Sequence, residues 1–282
     1  MKRILSLLLM LSLTTTVRSQ FLWRGAKTLN KGSVILKSSN YTTPFNRSWD
    51  WNEEEWKSWD SGKSLNVSGL NTMVGVGLTD RIEVMAHLPI AFKKAEFNGS
   101  DFSSSGLADI FFKTRIALKP WKKDQPGITA VAALRLGTAE ETNPSLGDRT
   151  TDIILGGMFS GCWRSGWRAH AKAYYSFNGT TEEDINAGDE YKLVAKLDRK
   201  FSPRAIGFLS YIHYSLLQKK DIDGNSIDNT EKSRHYLCTG IVLKPVKGLV
   251  VRPKFTLPLA GRGRSLFTVQ PLIDLCYNFQ LF

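Results

Sequence analysis

The sequence predicts an all-β protein, a single antiparallel transmembrane β-barrel of about 12 strands of the outer-membrane kind. Three observations lead there. Stretches with a two-residue hydrophobic period recur along the chain. Short and long connections alternate between them, as in barrels with short periplasmic turns and longer outer loops. The chain also opens on what reads as an export signal.

The opening is "MKRILSLLLMLSLTTTVRSQ". Lys2 and Arg3 precede an apolar run over residues 4–13, and Val17 and Ser19 supply the small residues of a cleavage site. Residues 1–19 are therefore expected to be a signal peptide and residues 20–282 the barrel. A membrane anchor fits less well, because the run falls far short of the roughly 20 residues that span a bilayer. No Cys follows the site, so no lipid anchor is expected there. No later stretch holds 18 consecutive apolar residues, which excludes helical spans.

Lys and Arg total 38 against 26 Asp and Glu, a formal charge of +12 that falls by three to +9 once Lys2, Arg3 and Arg18 leave. Such a balance suits nucleic acid, an anionic membrane surface or an anionic solute. Export argues against nucleic acid, as does the lack of zinc-finger spacing, a Gly-rich phosphate loop or a basic helix. Cys162, Cys238 and Cys276 are odd in number and too sparse for a disulfide scaffold, so they are expected as small apolar or luminal side chains. No Cys/His set has metal spacing and no paired carboxylate motif occurs, so no cofactor is expected.

Period-2 stretches predict strands near residues 31–39, 64–78, 82–91, 106–118, 127–138, 150–161, 166–177, 189–199, 203–216, 233–245, 248–258 and 265–281. The connections "TDR", "KPWKKDQP", "CWRSG", "KFSP" and "PVKG" are brief. Between them lie longer polar stretches such as "NYTTPFNRSWDWNEEEWKSWDSGK", "KKAEFNGSDFSSS" and "TAEETNPSLGD". An even strand number puts both termini on the periplasmic side.

In "SLFTVQPLIDLCYNFQL" the odd positions Phe267, Val269, Ile273, Leu275, Tyr277, Phe279 and Leu281 form an apolar row, with Phe282 on the other parity. A last strand this regular fits a closed barrel, which has no exposed edge. In "RAIGFLSYIHYSLL" the even positions Ile206, Phe208, Ile212, Tyr214 and Leu216 are apolar, which turns His213 and Ser215 toward the lumen if that row faces lipid. A soluble barrel would pack such rows inward instead. The export signal, the strand length and the charge of the opposite rows favour the membrane version.

"VGVGLTDRIEVMAHLPI" (74–90), "SGLADIFFKTRIAL" (105–118) and "GITAVAALRLGTAEETNPSLGDRTTDIILGGMFS" (127–160) resemble the transporter-like outer-membrane barrels of the MetA-pathway of phenol degradation family. The "GLTDR" turn is Gly77 to Arg81, and "GLAD" stands where that family more often has "GLGD". "RLGTAEE" departs from its Pro-containing form. The resemblance covers roughly half of the mature chain. It implies a bacterial outer-membrane channel or transporter for small solutes, and the family's name implies aromatic ones.

The inward parity supplies the candidate site. It carries Lys113, Arg115, Arg135, Arg168, His170, Lys172, Lys192, Lys196, Arg252 and Lys254, with Glu83, His87, Asp109, Asp152, Glu190, Asp198 and Asp274. The ten basic residues are the pore-lining set, an electropositive path that concentrates anions. The alternative is a narrow, non-conducting structural barrel whose interior is filled by paired charges. A third reading is an enzyme: "HYS" at 213–215 resembles the His-x-Ser pair of outer-membrane lipid A deacylases, which implies a lipid-modifying hydrolase.

"FNRSWDWNEEEWKSWDSG" gathers Trp49, Trp51, Trp56 and Trp59, read as interface anchors or loop packing, or else as a pore cap. Sequons at Asn40, Asn46, Asn66, Asn98 and Asn178 would mean glycans in a eukaryotic secreted protein and nothing in a bacterial barrel. The expected partners are outer-membrane lipid and lipopolysaccharide, the barrel-assembly machinery during biogenesis, and a small-molecule solute, with no nucleic acid.

Overall fold

A computed structural model describes residues 25–281 apart from 61, 98, 123–124, 163–165, 182–183 and 264. The expected signal peptide and Phe282 lie outside the described residues. Among those described, twelve long strands build one antiparallel sheet. They are β1 (Ser33–Asp50), β2 (Lys63–Gly77), β3 (Ile82–Phe97), β4 (Ile110–Lys119), β5 (Gly127–Leu136), β6 (Asp152–Cys162), β7 (Trp167–Phe177), β8 (Glu190–Ser202), β9 (Ala205–Leu216), β10 (Lys232–Leu243), β11 (Leu249–Arg262) and β12 (Gln270–Gln280).

Each strand pairs with the next, and β1 also pairs with β12, from Ser33 opposite Gln280 to Tyr41 opposite Leu272. The other edge of β1 pairs with β2, from Val34 opposite Val76 to Phe45 opposite Leu65. The sheet thus closes on itself, as the regular last strand predicts, and leaves no edge to aggregate.

Two of the expected outer loops are largely strand. β1 runs for 18 residues, well beyond the roughly 9–11 that a tilted strand needs to cross the hydrocarbon. Its far end pairs with Glu55–Ser58 and with Ser265–Phe267, and Ser100–Leu107 pairs with the far half of β3. Threonines and aromatics at alternate positions of "TTPFNRSW" favour continued pairing once the chain leaves the membrane.

The side-chain distribution is inside-out. Phe255 is 52% exposed while its neighbour Lys254 is 2% exposed. The same alternation leaves Ile90, Phe92, Phe112, Ile116, Ile273 and Tyr277 exposed and buries Glu83, His87, Lys113, Arg115 and Asp274. An apolar outer wall around a charged interior is stable only in lipid.

β9 reverses the expected orientation. Phe208 is 7% exposed and Leu209 48%, so the even row faces inward, and His213 and Ser215 lie on the outward row. The register explains this. Directly opposite residues share a face, and Lys196 and Asp198 of β8 stand opposite Ser210 and Phe208. Ile206, Phe208 and Ile212 then pack with Val194, Cys238 and Val242 into an apolar cluster inside the barrel. On the outward row the exposed ring of Phe201 covers Gly207, 2.5 Å from where a Cβ would sit, so a larger residue there would push that ring aside.

The assignment predicts that Leu209→Arg, which puts a cation against lipid near mid-span, destabilises the folded barrel by about 2–4 kcal/mol in denaturant unfolding from bilayers. A loss well under 1 kcal/mol would put residue 209 inside.

The barrel interior as the candidate functional site

The inward rows assemble four charge clusters. On β3 and β4, Arg115 Nη1 donates to Glu83 Oε1 at 2.5 Å. Across β5 and β6, Arg135 pairs with Asp152 and reaches Asp148 at 3.3 Å. On β7 and β8, Asp198 forms an ion pair with Lys196 at 2.6 Å and accepts from Arg168 and His170 at 3.1 Å each. On β1, β11 and β12, Asp274 pairs with Arg252, with Lys254 at 3.0 Å and with Lys37 at 3.5 Å.

All ten basic residues singled out in the sequence stand on inward rows. Lys113, Arg115, Arg135, His170, Lys172, Lys196, Arg252 and Lys254 are buried, and Arg168 and Lys192 half-buried. The structure brings Arg168, His170 and Lys196 to one aspartate and Arg252 and Lys254 to another. It adds Lys37 and Arg234, which the sequence reading passed over although "VILKSSNYT" alternates in the same way. Lys172 Nζ is buried with no hydrogen-bond partner among the described residues.

This arrangement has a definite electrostatic consequence. A buried carboxylate needs a partner to offset the several kcal/mol lost on leaving water, and each of the two best-ringed aspartates has more cationic neighbours than its single charge requires. The surplus is positive and sits on the inner wall, where low dielectric strengthens its reach.

The interior also receives chain from both ends. Residues 25–32 enter from the short-turn end. Ala26 N donates to Ser160 Oγ at 2.7 Å, and Thr129 Oγ1 donates to Ala26 O at 2.6 Å. Leu29 N donates to Glu83 Oε2, and Arg115 donates to the carbonyls of Gly25 and Lys27. Gly25 has φ of 56°, and a Cβ there would lie 2.2 Å from His170 Nδ1, so both backbone and space demand glycine. Leu29 packs with Ile35, Met73, Met85 and Cys276, which makes this segment a plug with an apolar foot.

At the other end, residues 139–148 fold inward over β3. Ala139 and Leu146 pack on Ala91, Lys93 Nζ donates to Ser145 O, and the Asp109 carboxylate accepts from Ala139 N and Asp148 N. The tryptophan stretch is packed hairpin. Trp49 meets Trp56 at 5.3 Å and Trp51 at 6.5 Å between ring centroids, and Trp56 Nε1 donates to Gly261 O.

The motifs quoted from the sequence acquire work here. In "GLTDR", Thr79 Oγ1 accepts from Arg81 N and Ile82 N to close the turn, and Asp80 holds the plug through Lys31 N and Thr28 Oγ1. Asp109 of "GLAD" anchors the inward loop. The His-x-Ser pair does not form a dyad: Ser215 Oγ donates to Lys232 O, while His213 engages Tyr191 and His235. A rim cavity of about 520 Å³ is lined by Ser215, Glu231, Lys232 and Arg262 among others, without His213.

A closed twelve-stranded barrel with an apolar outer wall and a charged interior is an outer-membrane β-barrel. The chain belongs to the family described as "Putative MetA-pathway of phenol degradation", whose model matches residues 38–265. Among solved structures it is similar to the COG4313 outer membrane channel from Pseudomonas putida F1, with a TM-score of 0.77 and 13% identity over 94% of this chain and 100% of that one. The β domain of the Bordetella autotransporter BrkA gives 0.55 and 12% over 89% and 100%, and the NanC porin 0.52 and 9% over 87% and 100%. No curated protein sequence matches the chain.

Two outcomes follow. Arg115→Ala strands Glu83 as a buried, uncompensated charge and should cost about 3–5 kcal/mol in unfolding free energy; a cost near zero would mean that the pair is hydrated. A chain beginning at Gly32, without the plug, should show a larger single-channel conductance than the full mature chain. Equal conductance would place residues 25–31 outside the conducting path.

Proposed function

We propose that the protein is an outer-membrane channel for small anionic solutes, including those with aromatic or other apolar bodies. The observation that carries this reading is the surplus of cations over acids on the inner wall, while the outward rows are mainly apolar. Focused positive potential raises the local concentration of anions and selects them. Apolar clusters around Phe208 and around Met85 border the charged layer, so a solute with one charged end and one apolar face meets both surfaces. The family description and the channel title of the similar Pseudomonas structure agree with transport.

Lys172 is the residue best placed to take a passing anion, because its buried amino group lacks a hydrogen-bond partner among the described residues. Arg115 is committed to Glu83 and to the plug, so it serves the closed state. The outward rows would meet lipid and, on the outer leaflet, lipopolysaccharide, with insertion by the barrel-assembly machinery after export through the segment 1–19. His213 and Ser215 do not bond to one another, which leaves the lipid hydrolase reading without a base for its nucleophile.

The test is planar-bilayer recording of the refolded mature protein under a salt gradient. Discrete conductance steps with a reversal potential displaced toward anions are expected. Replacing Lys172 and Arg168 together by Gln should shift that potential toward the value of a non-selective pore; an unchanged potential would remove the luminal cations as the selectivity element, and silence from folded, inserted, plug-free protein would remove the channel.

A further inference from the structure

A second site lies on the other side of the wall. On the outward face of β8, β9 and β10, toward their outer ends, four ring side chains converge. His213 of β9 stands directly opposite His235 of β10. Their Nδ1 atoms are 3.3 Å apart, with ring centroids at 4.5 Å. Tyr211 Oη lies 2.5 Å from His235 Nδ1, and Tyr191 Oη of β8 lies 3.3 Å from His213 Nε2. The chain has four histidines. His87 and His170 are buried inside the barrel, whereas His213 and His235 are half-buried on its outside.

Hydrogen bonding alone leaves this cluster over-committed. A neutral imidazole nitrogen carries either one proton or one lone pair. His235 Nδ1 nevertheless faces two polar groups, Tyr211 Oη and His213 Nδ1, and can form a good bond with only one of them. A metal ion resolves the conflict by replacing the proton. Imidazole nitrogens bind zinc-like ions at roughly 2.0–2.1 Å, which sets two ligands at a tetrahedral angle about 3.3–3.4 Å apart. The observed separation matches that spacing without movement of either ring. His213 also has the outer support that metal-bound imidazoles use, since its remote nitrogen reaches the Tyr191 hydroxyl.

The geometry points to a divalent transition-metal site made by His213 Nδ1 and His235 Nδ1, with the remaining positions open to water; Tyr211 Oη, at 2.5 Å from His235 Nδ1, is too close to share an ion with it and swings aside when the ion binds. Among the described residues no group of three His, Cys, Asp or Glu could hold a metal, so this site rests on two imidazoles. That donor set favours Cu²⁺ over the other first-row divalent ions, with Zn²⁺ and Ni²⁺ behind it. The metal would clip β9 to β10 at the level where the wall leaves the hydrocarbon, and its place outside the lumen makes it independent of solute passage.

Tag-free mature protein, folded in detergent micelles, is titrated with CuCl₂ and followed by electron paramagnetic resonance. One Cu²⁺ per barrel is expected, with hyperfine structure from two nitrogens. His213→Gln and His235→Gln should each weaken binding at least tenfold and reduce the pattern to one nitrogen, while Tyr211→Phe, which removes the hydroxyl competing for His235 Nδ1, should tighten binding and keep both. Heat-modifiable gel mobility checks that each variant is folded, and the wild-type spectrum decides the two-nitrogen assignment by itself. Absence of stoichiometric binding by the folded wild type overturns the site, and so does a two-nitrogen spectrum that survives the double substitution. Loss of anion selectivity in the bilayer experiment would leave this result untouched.

Discussion

The structure depends on one constraint: in hydrocarbon no backbone N–H or C=O can look to water for a partner. Pairing β1 with both β2 and β12 meets it, because the two strands that would otherwise be edges satisfy each other. Closure then fixes everything radial. Once Ser33 is opposite Gln280 and Tyr41 opposite Leu272, every alternate residue of every strand is committed to lipid or to the interior. The exposed Phe255 beside the buried Lys254 is that commitment at a single peptide bond.

The interior inherits a second problem from the first. Charges that face inward escape lipid, but in a barrel this full they lose most of their water as well, and an uncompensated ion there costs several kcal/mol. The solution is local clustering around acids: Glu83 with Arg115, Asp152 with Arg135, Asp198 with Lys196, and Asp274 with Arg252 and Lys254. Except for Lys196, which shares β8 with Asp198, the partners come from neighbouring strands, so these pairs also pin register. Arg135 and Asp152 are opposite residues of β5 and β6, and Arg252 and Asp274 of β11 and β12.

Much of this was legible in the sequence because alternation is a local property. The twelve strands, the inward parity of Lys113, Arg115, Lys172 and Lys196, and the outward row of the last strand all follow from a period of two. β9 was misread because its two rows are both largely apolar, so local pattern could not orient it. The charged row of β8 could not orient it through the turn either, because the two-residue turn sets Ser202 opposite Ala205 while a register shift between Lys200 and Ser202 brings Lys200 opposite Ile206 and so reverses the parity. The strand continuation in residues 40–50 was hidden by polar composition, which marks distance from lipid as well as loop. The plug was invisible for a different reason. Residues 25–32 show no period, and their place is set by luminal groups brought together from β3, β4, β5 and β6.

The plug and the charged wall are one system. Arg115 divides its donors between Glu83 on the wall and the carbonyls of Gly25 and Lys27 on the plug, while Glu83 divides its oxygens between Arg115 and Leu29 N. Withdrawing the plug therefore does not simply clear space. It leaves a guanidinium with unfilled donors and a carboxylate with an unfilled acceptor at the short-turn mouth, and buried polar groups without partners are costly. Water can fill both vacancies, but an anion fills the first more strongly, because a guanidinium binds an anion through charge-assisted bonds about twice as strong as neutral ones. On the proposed channel function, the side chain that holds the plug would, once released, join Lys172 and Arg168 in favouring an anion, so that opening would add to selectivity.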